Sequence, residues 1–101
     1  MEGLEMVSFQ IISAVGTAKS MYIQAIQEAK AGNFEEADNL IAEGQKTFLE
    51  GHKAHSSLIQ KEASGETVAF SLLLMHAEDQ LMATETFKLV AQELIELYKA
   101  K

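Results

Sequence analysis

The stretch Leu72 to Ala83, LLLMHAEDQLMA, sets one histidine and one aspartate inside the most apolar run of the chain. His76 and Asp79 stand at i and i+3, so on a helix they share a face. Ionisable groups are costly to desolvate unless they are paired or liganded. The pair therefore lies on a solvated face or is held in an apolar setting for chemistry. In the first case a histidine hydrogen-bonded to its aspartate has no chemical role. In the second the imidazole is a nucleophile, since neutral histidine forms covalent intermediates.

A second histidine pair, His52 and His55, has the same spacing in EGHKAHSSL. Metal binding there needs a third ligand, and Glu62 is too far along a helix to join them unaided. The expectation is His52 near a rim and His55 on a packed seam, hydrogen-bonded to a neighbour. Met75 and Met82 read as gap-filling apolar groups. The sequence holds no glycine-rich phosphate loop, serine triad or zinc signature.

The elements that position these residues are helices. Two glycine-centred breaks, KAGNFEEA and EASGETVAF, divide the chain into three segments, and period-two alternation is not sustained anywhere. Gly32 suits a left-handed helix end, and Asn33 can cap the next helix with Glu35 and Glu36 in its first turn. Ser64–Gly65 ends the second segment, and Glu66 and Thr67 open the third. The expected helices span about 3–31, 34–63 and 67–100 of a single domain, 1–101. Ile11, Val15, Ala18, Tyr22, Ala25 and Ala29 form a heptad-like seam on the first. Phe34, Ala37, Ile41, Gly44, Phe48, Gly51, His55, Leu58 and Glu62 continue it on the second. The two glycines there weaken the helix by roughly 1 kcal/mol each relative to alanine, so their place on the seam implies close backbone approach. Short loops make consecutive helices antiparallel: an all-α, up-down-up three-helix bundle.

The third segment has apolar residues on two faces. One stripe runs Phe70, Leu74, Ala77, Leu81, Thr84, Ala91, Ile95 and Tyr98; another includes Leu72, His76, Asp79, Ala83, Thr86, Val90 and Leu97. A three-helix bundle covers only one of them, and the other exceeds the apolar patch a monomer tolerates. The third helix should therefore meet another subunit, with His76 and Asp79 at or near that interface.

Composition narrows the partners. The chain of 101 residues has a net charge of −7, with eight lysines, no arginine and fifteen acidic residues. It has little means of neutralising phosphates, which argues against nucleic acid and against an anionic membrane surface. A partner with a basic docking patch suits it better. The absence of cysteine removes disulfides, thiolate metal sites and thiol nucleophiles. The N-terminal MEGLEMVSFQIISAVG carries acid where an export signal needs lysine or arginine, and the run from Thr67 to Met82 is too short and too charged to span a bilayer. The expectation is a soluble, cytoplasmic chain with no membrane insertion.

LLLMHAEDQLMA resembles the active-site helix of the enzyme IIA component of the lactose/cellobiose (N,N′-diacetylchitobiose) class of the bacterial phosphoenolpyruvate–sugar phosphotransferase system. FQIISAVGTAKS, AKAGNFEEADNLI and HKAHSSLIQKEASG are similar to family blocks too, in order along nearly the whole chain. The usual family block is His–Ala–Gln–Asp–His–Leu–Met, and this chain has Glu78 for the glutamine and Gln80 for the second histidine. It also has Lys19 where arginine is common and His55 where glutamine is common.

The resemblance implies that His76 accepts a phosphoryl group from the phosphohistidine of the carrier HPr and passes it to a cysteine of enzyme IIB. It implies a homotrimer with the third helices around the axis, where three copies of Asp79 share one divalent cation, Mg²⁺. Three carboxylates without a counter-ion would repel by roughly 4 kcal/mol per pair at 4 Å and an effective dielectric near 20. Oxygen ligands suit Mg²⁺. Gln80, at i+4 from His76, can donate a hydrogen bond to a phosphoryl oxygen. The competing reading is a non-catalytic trimeric adaptor or a regulator that keeps the fold.

Overall fold

A computed structural model describes residues 3–101; Met1 and Glu2, the first two residues of the expected domain, lie outside it. The chain forms α1 (Gly3–Lys30), α2 (Phe34–Ala63) and α3 (Leu72–Lys99), with no strand among the described residues. They run up, down and up in an antiparallel bundle, as the breaks and seams imply. The molecule is elongated, 52 × 24 × 19 Å.

Both glycine breaks end their helices in the same way. Gly32 and Gly65 have φ of 84° and 96°, the left-handed conformation that costs a side chain dearly. Around them Asn33 N–H donates to the Glu28 carbonyl at 2.9 Å and Glu66 N–H to that of Lys61 at 3.2 Å. These six-to-one bonds are Schellman closures. Asn33 occupies the N-cap position of α2, but its side chain makes no capping bond and donates instead to Glu28 Oε1 at 2.9 Å.

The third helix starts at Leu72, five residues later than Glu66–Thr67 implied. The cause is Ser71, whose extended backbone (φ −148°, ψ 152°) and hydroxyl, accepting from Leu74 N–H at 3.1 Å, make it the N-cap. Thr67 and Val68 are β-branched and favour the extended path that leads there. Phe70, assigned above to the inner stripe, therefore precedes the helix and is 81 % exposed.

Every seam residue named on α1 is buried. The six residues from Leu74 to Ile95 of the inner stripe of α3 are buried as well. On α2 the seam holds at Ala37, Gly44, Phe48 and Gly51 and fades toward an exposed Glu62. The helices are not equivalent. α1 is the centre and packs extensively on both others, whereas α2 and α3 touch little. Small residues explain the close approach to α1. A Cβ on Gly51 would fall 3.0 Å from Val15 Cγ1, and one on Gly44 would fall 2.5 Å from Tyr22 Cε1.

Polar bridges tie α2 to α3 where apolar packing is thin. His55 meets Glu78 (Nε2 to Oε2, 2.7 Å), Lys88 donates to Gln45 Oε1 at 2.8 Å, and Lys99 grips both carboxylate oxygens of Asp38 at 3.0 and 2.9 Å. The three links follow the antiparallel register from one end of the α2–α3 opening to the other.

Candidate functional site

α3 places the residues of the HAEDQ block in three directions. Ala77 is fully buried against α1. Glu78 turns to α2 and bonds His55, whose side chain is 19 % exposed. His76 and Asp79 are exposed on the outer face, and Gln80 is half-buried at its border. Neither His76 nor Asp79 finds a hydrogen-bond or ion-pair partner among the described residues. They share a face without forming the satisfied pair that spacing alone allows.

The wall around them is apolar. Leu72 is 79 % exposed and Met82 61 % exposed, Met75 also stands open, and the same face continues through Leu89, Val90 and Leu97. Large side chains in that number on one helix face exceed what solvent normally meets. An imidazole with free nitrogens stands amid them. Such a group can attack an electrophile brought by a docking partner, while apolar neighbours limit competing attack by water.

The other two histidines are separated. His55 is on the α2–α3 seam with a neighbouring partner, as expected. His52 is exposed and lies over Phe48, ring centroids 6.5 Å apart and planes 20° from parallel. No group of three His, Cys, Asp or Glu side chains suited to a metal occurs among the described residues. One chain offers one exposed, unpaired carboxylate at Asp79, which fits a metal only as a share of a site assembled from several chains.

Sequence reasoning missed the contact between His55 and Glu78. Its signal was present: both positions depart from the family block, and the antiparallel register of α2 and α3 brings them opposite each other.

The sequence model of the PTS system, Lactose/Cellobiose specific IIA subunit family matches residues 6–99. The chain belongs to this family. The matched segment contains the entire exposed face with His76, Asp79 and Gln80. Relatives agree along their length. The oligo-beta-mannoside-specific EIIA component of Bacillus subtilis (strain 168) is 46 % identical over 97 residues, 96 % of this chain and 88 % of the relative. The lactose-specific EIIA component of Staphylococcus aureus is 40 % identical over 98 residues, 97 % and 95 % of the two chains. Among solved structures, the cellobiose-specific enzyme IIA of Bacillus anthracis superposes with a TM-score of 0.95 at 41 % identity, covering 99 % of this chain and 92 % of that one. The IIA(chitobiose)–HPr complex of the N,N′-diacetylchitobiose branch of the Escherichia coli phosphotransferase system gives 0.85 at 31 %, covering 99 % and 97 %. The enzyme IIA fold thus extends over the whole described chain, and no helix among the described residues is long and apolar enough to cross a membrane.

Proposed function

We propose that this enzyme IIA is a phosphoryl carrier that takes the group from phospho-HPr on His76 and delivers it to the cysteine of an enzyme IIB. The observation that carries the reading is the exposed, unpartnered imidazole of His76 within an apolar face of the family-matched segment. A solved relative is a IIA(chitobiose)–HPr complex, which supports HPr as the donor.

The transfer conserves its bonds. A lone pair of the His76 ring attacks phosphorus, a nitrogen–phosphorus bond forms, and the bond to the donor imidazole breaks with its electrons returning to that ring. In the second step the thiolate sulfur of enzyme IIB attacks the same phosphorus and His76 leaves as the neutral ring. No covalent chemistry is asked of other side chains, so positioning and water exclusion supply the catalysis. Gln80 donates an amide hydrogen bond to a phosphoryl oxygen without adding charge. The sugar served is a β-linked disaccharide of the cellobiose, lactose or chitobiose type, phosphorylated at a membrane component, with this chain itself acting in the cytoplasm.

The uncovered apolar face of α3 supports a homotrimer with these faces together. Asp79 from three copies would then hold Mg²⁺, whose charge offsets carboxylates that otherwise repel. Asp79→Asn should abolish metal binding and leave the trimer intact; unchanged metal stoichiometry in that variant removes the assignment.

The deciding experiment is incubation with phosphoenolpyruvate, enzyme I and HPr. The chain should gain the mass of a single phosphoryl group, and His76→Ala should gain none while keeping its helix content. Label on His76→Ala would move the site elsewhere. An unlabelled native chain that still assembles would leave the non-catalytic adaptor.

A further inference from the structure

His76 stands in the second turn of α3, and few contacts hold that turn. The chain arrives through Thr67–Phe70, which make no backbone hydrogen bond among the described residues. From Leu72 to Ala77 only Leu74 and Ala77 are buried, Leu73 is half-buried, and Leu72, Met75 and His76 are exposed. The next residue, Glu78, is pinned to α2 by its 2.7 Å contact with His55. His76 therefore lies between a loosely held approach and a fixed point.

Ser71 closes this stretch. Its hydroxyl accepts the N–H of Leu74 at 3.1 Å and its carbonyl accepts that of Met75 at 3.0 Å. Helix geometry then joins the His76 N–H to the Leu72 carbonyl, one residue past the cap. Leu72 has no anchor of its own, since it is 79 % exposed. A turn that opens from this end breaks the backbone bond that orients His76, and the opening stops at Glu78. Fraying from an end is the least costly motion of a fold, so the cap sets how often His76 is presented correctly.

We propose that Ser71 is a positioning residue for phosphoryl transfer at His76. By capping α3 five residues ahead, it holds the imidazole where an incoming phosphorus is attacked in line. This role rests on the carrier function inferred above. Phosphoryl transfer leaves its catalysis to positioning, and a displacement of about 1 Å can cost about a hundredfold. Leu72 and Met75, exposed apolar residues of the same stretch, lose their place with an open turn, and the wall that limits water goes with them. Ser71 itself needs no contact with the phosphoryl group.

The test follows transfer from limiting phospho-HPr to the full chain, together with backbone amide exchange by NMR. Ser71→Ala removes the cap and should shift the equilibrium between closed and open turn about fivefold. Exchange of the amides from Leu74 to Ala77 should quicken by about that factor, with residues 93–99 unchanged. The transfer rate should fall by about two- to fivefold. Ser71→Asn caps a helix as well as serine without adding charge, so it should restore both. Lys99→Gln breaks the link to Asp38 at the far end and should slow neither. A native chain that takes no phosphoryl group refutes the carrier function, and this role with it. If the native chain is labelled, the role of Ser71 alone is overturned by an equally fast Ser71→Ala, by a Ser71→Asn as slow as the alanine variant, or by an equal slowdown in Lys99→Gln.

Discussion

The two faces of α3 are both apolar and are built to different ends. The inner face meets α1 with Leu74, Ala77, Leu81, Thr84, Ala91 and Ile95, all buried, with small residues where the helices come closest. The outer face displays Leu72, Met75, Met82, Leu89, Val90 and Leu97 to solvent and carries His76 and Asp79 among them. Hydropathy alone does not separate the two. What separates them is the presence of ionisable groups, which a face sealed within one chain excludes and a face that meets partners can use. On the function proposed above, the apolar outer face is one that partners cover, and the polar residues set into it are what those partners meet.

Adjacent residues of α3 give the strongest way to break this contrast. Ala91 is 0 % exposed and Val90 47 % exposed, on opposite faces. Ala91→Glu places a carboxylate in the core beside α1, a cost of several kcal/mol in a fold whose whole stability is of order 5–15 kcal/mol. Circular dichroism should show it largely unfolded at room temperature. Val90→Glu should keep native helix content and disrupt the proposed trimer instead, read by light scattering. A folded Ala91→Glu chain, or an unfolded Val90→Glu one, would erase the distinction between the faces.

The inner seam should also titrate, through Tyr22. Burial raises its phenol from 10.0 to about 12, so folding favours the neutral form. The stability tied to that proton is fully present below pH 10 and is lost as pH rises through about 12. The full loss corresponds to about 2–3 kcal/mol. Urea denaturation at stepped alkaline pH should follow it in the native chain, and Tyr22→Phe should lack that component. An identical alkaline profile in both would mean that Tyr22 is solvated.

Glycines on and off the seam give the next effect. Gly44→Ala gains about 1 kcal/mol of helix propensity but drives a methyl into the Tyr22 ring, and overpacking of this kind costs about 1–3 kcal/mol. The net should be a lowered melting temperature. Gly16 has nothing within 4 Å of a Cβ position, so Gly16→Ala should raise it, by up to about 1 kcal/mol of stability. The opposite order would mean that the close approach of α1 and α2 is not what fixes glycine at Gly44.

Much of this was legible in the sequence because helix periodicity and burial are the same signal in a bundle this simple. Ile11 to Ala29 lay on one face in the sequence and are buried in the structure. The start of α3 was not legible from the glycine break, because a capping serine several residues downstream outcompeted it. The uneven packing was hidden as well. Seam patterns do not reveal that α1 touches both partners while α2 and α3 are joined by His55–Glu78, Lys88–Gln45 and Lys99–Asp38. For the candidate site, the sequence singled out His76 and Asp79 and the outer face that holds them. It left open whether they bond each other, since spacing fixes a shared face and not a contact.

The smallest effect tests where the boundary between the two faces falls. Glu78 sits between Ala77 and Asp79, yet its contact with His55 assigns it to the α2 side. The pair is partly exposed, with side chains 19 % and 40 % accessible, so its coupling should be modest. A double-mutant cycle with His55→Gln and Glu78→Gln, read by urea denaturation, should return about 0.2–1 kcal/mol. Each single variant loses one partner of a 2.7 Å contact, and the double variant restores neutral amides that can bond each other. It should therefore be less destabilised than the two single losses together. His55→Gln should still accept phosphate from phospho-HPr, because its bond links α2 to α3 and leaves the outer face untouched. Zero coupling with a lost phosphoryl label would instead assign His55 and Glu78 to the outer face.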